Sequence, residues 1–161
     1  MSNAAERALG ISKSKRKKRT VPPPPARVYL GNDSPQIKVE DVPGKGRGVI
    51  ATEDLPANTR LPYKGVPLTK EAYQELVALE RKDEAKYATI VQYVAEADGV
   101  RVDAHPRLGD WINARVNEPN AGLHANLRLT SELFHGKRRP VFIAVRSIGK
   151  GEELTAAYGR S

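Results

Sequence analysis

At 161 residues, 39% hydrophobic and 6% aromatic, the chain can bury one core of ordinary size, which predicts a single domain with a tail. No apolar run approaches the ~18–20 residues that span a bilayer. The N-terminus lacks the apolar core of a signal peptide, and the absence of cysteine fits a reducing compartment and excludes thiolate zinc clusters.

The net charge of +8 is concentrated in residues 1–27, which hold eight Lys or Arg against one acid, Glu6, and leave the remainder near neutral. Lys13 to Arg19 carries six positive charges in seven positions with nothing apolar to bury, so it is expected to be solvated and disordered. Such a run can act as a nuclear localisation signal or contact DNA or RNA phosphates; the bland alternative is a solubilising tail. Pro22 to Pro25 form a polyproline II spacer of about 12 Å, at ~3.1 Å per residue. The domain boundary is therefore set at residue 27, with a folded domain over 28–161.

Beyond it, short strands alternate with turns. Ile37, Val39 and Asp41 alternate with Lys38 and Glu40 as in a half-buried strand. Pro43-Gly44 and the glycines after it predict a turn, and Val49-Ile50-Ala51 a second strand. Leu61 to Val66 reads as an extended piece that prolines confine to a sheet edge. Thr69 is placed to N-cap a helix carrying Ala72, Tyr73, Leu76, Val77 and Leu79, with Glu71 in its first turn and an end near Glu84 to Lys86. Ile90 to Val94 and Val100 to Val102 flank Asp98-Gly99 as a hairpin. Leu127 to Leu133 and Val141 to Ile148 flank a turn at His135-Gly136. His105, His124 and His135 show no paired metal-ligand spacing and are expected at the surface or in turns, so no metal site is predicted. The pattern is mainly β, with one helical insertion.

Four segments in order carry the functional signal: Gly44-Lys45-Gly46-Arg47-Gly48-Val49-Ile50-Ala51, Tyr63-Lys64-Gly65-Val66, Trp111-Ile112-Asn113, and Gly151-Glu152-Glu153-Leu154-Thr155-Ala156-Ala157-Tyr158-Gly159. Together they resemble the SET-domain protein lysine methyltransferases over most of residues 36–159, and the chain is similar in size to small single-domain viral SET enzymes. The resemblance implies a β-clip fold of several small curved sheets, with a C-terminal pseudoknot that threads the segment after Gly151 beneath the loop carrying Asn113.

It also implies S-adenosylmethionine as cofactor and a protein lysine, expected to be a histone lysine, as substrate. Gly46 and Gly48 around Arg47, with Lys45 before them, match the element that lets backbone approach the cofactor. Asn113 and Ala114 match the start of the family's Asn-His-Ser-x-x-Pro-Asn motif, but Ala114 and Arg115 stand where His and Ser are usual. Asn126 is favoured over Asn120 as its closing Asn. Tyr158 matches the active-site tyrosine and also borders the cofactor. Tyr63 matches a tyrosine that lines the lysine channel, whereas Tyr87 and Tyr93 belong to no motif.

The implied chemistry is in-line transfer of a methyl group to a neutral lysine amine, in which the protein aligns the reactants and excludes water. Only Gly159, Arg160 and Ser161 follow Tyr158. A roof over the channel is therefore expected from the 70–100 region, from a second subunit in a homodimer, or from the substrate. The expected location is the nucleus (a host nucleus for a viral protein), with the cytoplasm as the alternative, and no membrane partner is expected. The departures at Ala114 and Arg115 favour a competing possibility, a SET-like chromatin scaffold of weak or absent activity. A nucleic-acid-binding module driven by residues 13–19 is another.

Overall fold

The computed structural model of the chain describes residues 28–82 and 92–157. The basic tail, the expected helix end at 84–86, Tyr87 and Tyr158 lie outside the described residues. Within them, strands β1 (Ile37–Val42) and β2 (Gly46–Ala51) form an antiparallel hairpin, with Val42 opposite Gly46. The Pro43-Gly44 turn is present: Lys45 N–H donates to the Val42 carbonyl at 3.0 Å, and Gly44 has a φ of 77°. Gly46 and Gly48 are not turn residues, however. They already pair with β1, so β2 begins three residues earlier than its apolar core suggested.

The expected edge segment is two short strands, β3 (Arg60–Pro62) and β4 (Val66–Leu68), broken at Tyr63–Gly65. Helix α1 (Lys70–Lys82) starts as predicted, with Ala72 N–H donating to Thr69 Oγ1 at 3.0 Å. Its apolar residues Tyr73, Leu76 and Val77 are only partly buried. Arg101 covers the Tyr73 ring, with the guanidinium carbon 5.3 Å from the ring centroid.

Strands β5 (Val94–Ala97) and β6 (Val100–Asp103) join through Asp98-Gly99, and β7 (Leu127–Phe134) and β8 (Lys137–Ala144) through His135-Gly136. Both loops have two residues, each at positive φ: 50° and 81° in the first, 51° and 79° in the second. This is the twist that closes a two-residue hairpin, and glycine supplies it without steric cost. The tight second loop also corrects the expected strand limits. It puts Lys137 directly opposite Phe134, so β8 opens with three charged, exposed residues and ends at Ala144, ahead of the predicted Val141–Ile148 span.

With β9 (Glu153–Leu154), the strands make three small antiparallel sheets in the orders β1-β2-β9, β3-β8-β7 and β4-β6-β5. One hydrophobic cluster joins them through Val49, Leu61, Val102, Leu127, Phe142 and Leu154. The buried Arg60 is satisfied by Glu132, whose carboxylate accepts its Nε at 2.8 and 3.0 Å, and that partner raises its pKa. The mainly β architecture, with one α-helix among the described residues, agrees with the SET-type fold the sequence implied.

Candidate active site

The four motifs meet where β2 passes a short 3-10 helix, Ile112–Arg115. Asn113 is buried at 2% exposure, and its Nδ2 donates to the Lys64 carbonyl at 2.9 Å, tying this turn to the Tyr63-Lys64-Gly65 segment. Gly65 must be glycine here, because a Cβ would run into the Asp103 carbonyl of β6. Tyr63 is equally buried. Its ring stands edge-on to Phe142 at 5.5 Å, and its hydroxyl donates to the Tyr93 carbonyl at 2.7 Å. The same carbonyl accepts Ala104 N–H at 3.1 Å, and the Tyr93 ring packs against His105 at 4.9 Å. Tyr93, which no motif singled out, is therefore the support of Tyr63.

The C-terminal segment is threaded. Ala156 N–H donates to the Asn117 carbonyl at 3.0 Å, while Leu127 N–H donates to the Thr155 carbonyl at 2.9 Å. Asn117 and Leu127 lie at the two ends of one loop, so residues 155–156 pass between them, bridged in parallel to each. Asn126 clamps the same segment and is 1% exposed. Its Oδ1 accepts Thr155 N–H at 2.8 Å, and its Nδ2 donates to the Glu153 carbonyl at 2.8 Å. Asn120, the other candidate for the closing asparagine, is exposed. The threading carries the chain from β9 directly towards residue 158.

A polar cluster seals the junction. Lys45 Nζ donates to the Glu118 carbonyl at 2.8 Å and pairs with Glu153 Oε1 at 3.1 Å. Asn117 Nδ2 reaches Glu153 Oε2 and the Arg47 carbonyl, both at 2.9 Å. Gly48 sits against this cluster. A Cβ there would lie 2.7 Å from Glu153 Oε2, 2.8 Å from Val42 Cγ2 and 2.9 Å from Asn117 Nδ2. The protein's own side chains thus demand glycine at 48 even before a cofactor is considered. Glu153 and Asn117 were given no role from the sequence; the paired acids Glu152-Glu153 inside the terminal motif were the available signal.

Two clefts border the junction. The first, of about 680 Å³, is lined by Lys45, Tyr93, Ala114, Val116, Asn117 and Glu118 among others. The second, of about 770 Å³, is lined by Arg47, Arg107, Asp110, Arg115, Val39 and Leu108 among others. The residues expected to bind the cofactor therefore divide: Lys45 and Ala114 face the first cleft and Arg47 the second, with Gly46 and Gly48 on the strand beside them. Arg107 is occupied by the fully buried Asp103 at 2.9 Å. The Arg47 and Arg115 guanidinium groups have no ion-pair partner among the described residues. Burial lowers the pKa of His105, and Arg107 reinforces the effect against the opposing Asp103. Its Nδ1 accepts Arg107 N–H at 2.9 Å, which suits the neutral ring. Among the described residues, no group of three or more His, Asp or Glu could hold a metal ion.

Comparison with curated proteins gave no match. The family model for the SET domain matches residues 46–159, from the first glycine of the Gly-Arg-Gly strand to the residue after Tyr158. The chain thus belongs to the SET-domain family, whose members are in general protein lysine methyltransferases.

Proposed function

We propose that this chain is an S-adenosylmethionine-dependent protein lysine N-methyltransferase acting in the nucleus on histone lysine. The observation that supports it best is the junction itself, where the Gly46–Gly48 strand, Asn113 and the threaded segment leading to Tyr158 meet between two clefts. When bound, the cofactor supplies the methyl group as a sulfonium. The residues present fit it: Arg47 and Arg115 are planar donors without an ion-pair partner among the described residues, suited to a carboxylate, and Asp110 on the same cleft offsets positive charge.

The chain's own residues then have distinct tasks. The first cleft, with Tyr93 on its wall and Tyr63 held behind it, admits the target lysine. A buried surrounding favours the neutral amine over the ammonium ion, and a neutral His105 beside Tyr93 adds no second positive charge. Tyr63 is buried behind this wall rather than on it, and its hydroxyl, bonded to the Tyr93 carbonyl, positions Tyr93 against the cleft. The Tyr158 hydroxyl orients the amine and complements charge developing on it. The protein contributes alignment and exclusion of water rather than a covalent intermediate.

The test is methyl transfer from labelled cofactor to core histones and a peptide array, with mass spectrometry of the products. Calorimetry of cofactor binding to wild type and to Arg47→Ala/Arg115→Ala accompanies it. Transfer by wild type and weaker cofactor binding by the variant are expected. Cofactor binding without transfer to any substrate would instead support the scaffold alternative, which the Ala114 and Arg115 departures favour.

A further inference from the structure

The tip of the β7–β8 hairpin, on the second sheet, carries an exposed group of basic and aromatic residues that the site above does not use. Leu133 is 65% exposed, Tyr29 44% and Phe134 36%. The Tyr29 and Phe134 rings pack at 6.0 Å, His135 meets Phe134 edge-on at 4.6 Å, and Arg139 covers Phe134 at 5.7 Å. Lys137, Arg138 and Arg139 follow the turn and are all exposed.

The acids nearby are already occupied. Glu132, opposite Arg139 in the register, is held by Arg60. Asp98 accepts the Ser131 hydroxyl, whose oxygen in turn accepts Arg138 Nη1 at 3.0 Å. Lys137 and Arg139 have no acidic partner among the described residues. The strand register places them on the same face of β8 as Phe134 on β7, next to Tyr29.

Tyr29 is also where the basic tail joins. Residues 1–27 hold eight Lys or Arg and a single acid, and Arg19 lies ten residues before Tyr29. Ten residues of extended chain reach no more than about 35 Å, close to one turn of duplex DNA. The basic run is therefore tethered within about one duplex turn of the hairpin tip, so both can reach phosphates of one duplex. An apolar partner would need a groove, whereas this surface is a projecting tip whose surplus charge is positive.

We infer that the hairpin tip, centred on Lys137, Arg139, Phe134 and Tyr29, is a nucleic-acid docking surface that acts together with the basic tail. Lys137 and Arg139 contact phosphates, and the exposed rings supply apolar contact beside the backbone.

The test uses the full chain and a labelled DNA duplex of about 20 base pairs, followed by fluorescence anisotropy across a salt series. Lys137→Gln/Arg139→Gln is expected to weaken binding roughly tenfold and to reduce the log–log salt slope by about 2, the share of two phosphate contacts. Lys38→Gln/Lys150→Gln removes the same charge from β1 and the turn before β9, and is expected to change affinity by less than about twofold. Circular dichroism confirms folding of both. Unchanged affinity and slope in the hairpin variant, an equal loss in the control, or no binding by wild type would each overturn the inference.

Discussion

Asn126 and Thr155, 29 residues apart, are joined by a buried hydrogen bond in which the Thr155 N–H donates to Asn126 Oδ1 at 2.8 Å. The asparagine side chain acts as an extra length of backbone, lining up the threaded segment just before Leu127 takes over the pairing. Since the other face of the amide donates to the Glu153 carbonyl, one side chain fixes both ends of the 153–155 segment.

Replacing Asn126 therefore exposes the threading. Asn126→Ala leaves the Thr155 N–H and the Glu153 carbonyl buried and unpaired, at a cost of about 3 kcal/mol. Asn126→Asp keeps the acceptor but loses the donor and faces Glu152, whose carboxylate lies 3.3 Å from the present Nδ2. Urea unfolding is expected to rank wild type well above both variants at neutral pH. Equal stabilities would mean that the clamp contributes nothing.

Gly48→Ala tests whether glycine at 48 serves the protein or only a ligand. The added methyl meets Glu153, Val42 and Asn117 at 2.9 Å or less. Destabilisation of about 1–3 kcal/mol is expected with no cofactor present. A ligand-free melting curve identical to that of wild type would restrict the role of Gly48 to the cofactor.

Tyr158→Phe and Tyr63→Phe should separate the two tyrosines. Loss of the Tyr158 hydroxyl is expected to slow single-turnover methylation on the order of 10²–10³-fold, with little change in cofactor affinity. Loss of the Tyr63 hydroxyl leaves the Tyr93 carbonyl still paired with Ala104 N–H. The expected result there is a small loss of stability, about 1 kcal/mol, and a changed number of methyl groups per lysine, read by mass spectrometry. Full activity in folded Tyr158→Phe would refute its assigned role.

Glu152 makes the clasp acid-sensitive. Its hydrogen bond to Arg146 at 2.6 Å holds the carboxyl below the ordinary 4.5, helped by Gly149 N–H and Asn126 and opposed by burial. A folded pKa below the unfolded one gives stability that is fully present above about pH 4.5 and is lost as pH falls through the folded value. The stability gap between wild type and Glu152→Gln, followed by urea unfolding against pH, should therefore close in acid. A gap constant down to about pH 3, well below that ordinary value, would rule the linkage out.

Local chemistry explains what the sequence disclosed. Asp98-Gly99 and His135-Gly136 announce their hairpins because few residues tolerate positive φ, and Thr69 announces its helix by its capping hydroxyl. The sequence favoured Asn126 over Asn120 as the closing Asn of its motif, and Asn126 is the residue that clamps the threaded segment. Long-range contacts left weaker traces. The start of β8 reads as a charged loop because Lys137, Arg138 and Arg139 face solvent, and only pairing with β7 reveals the strand. Tyr93 supports Tyr63 through a backbone carbonyl, which any residue possesses. The division between the two clefts follows from where Arg47 and Arg115 come together, a meeting of residues from separate motifs.

Residues 153–156 leave the ribosome after every element they bind. β9 completes the first sheet by pairing with β2, and Thr155 and Ala156 join Asn117 and Leu127, so no amino-terminal fragment of the domain can close its own core. Folding of the domain must then await synthesis of this segment and insert it between partners already formed. Contacts of such wide sequence separation are slow to make. Nascent chains that stop before β9 are consequently the vulnerable ones, and their exposed β2 edge is the surface on which they would associate.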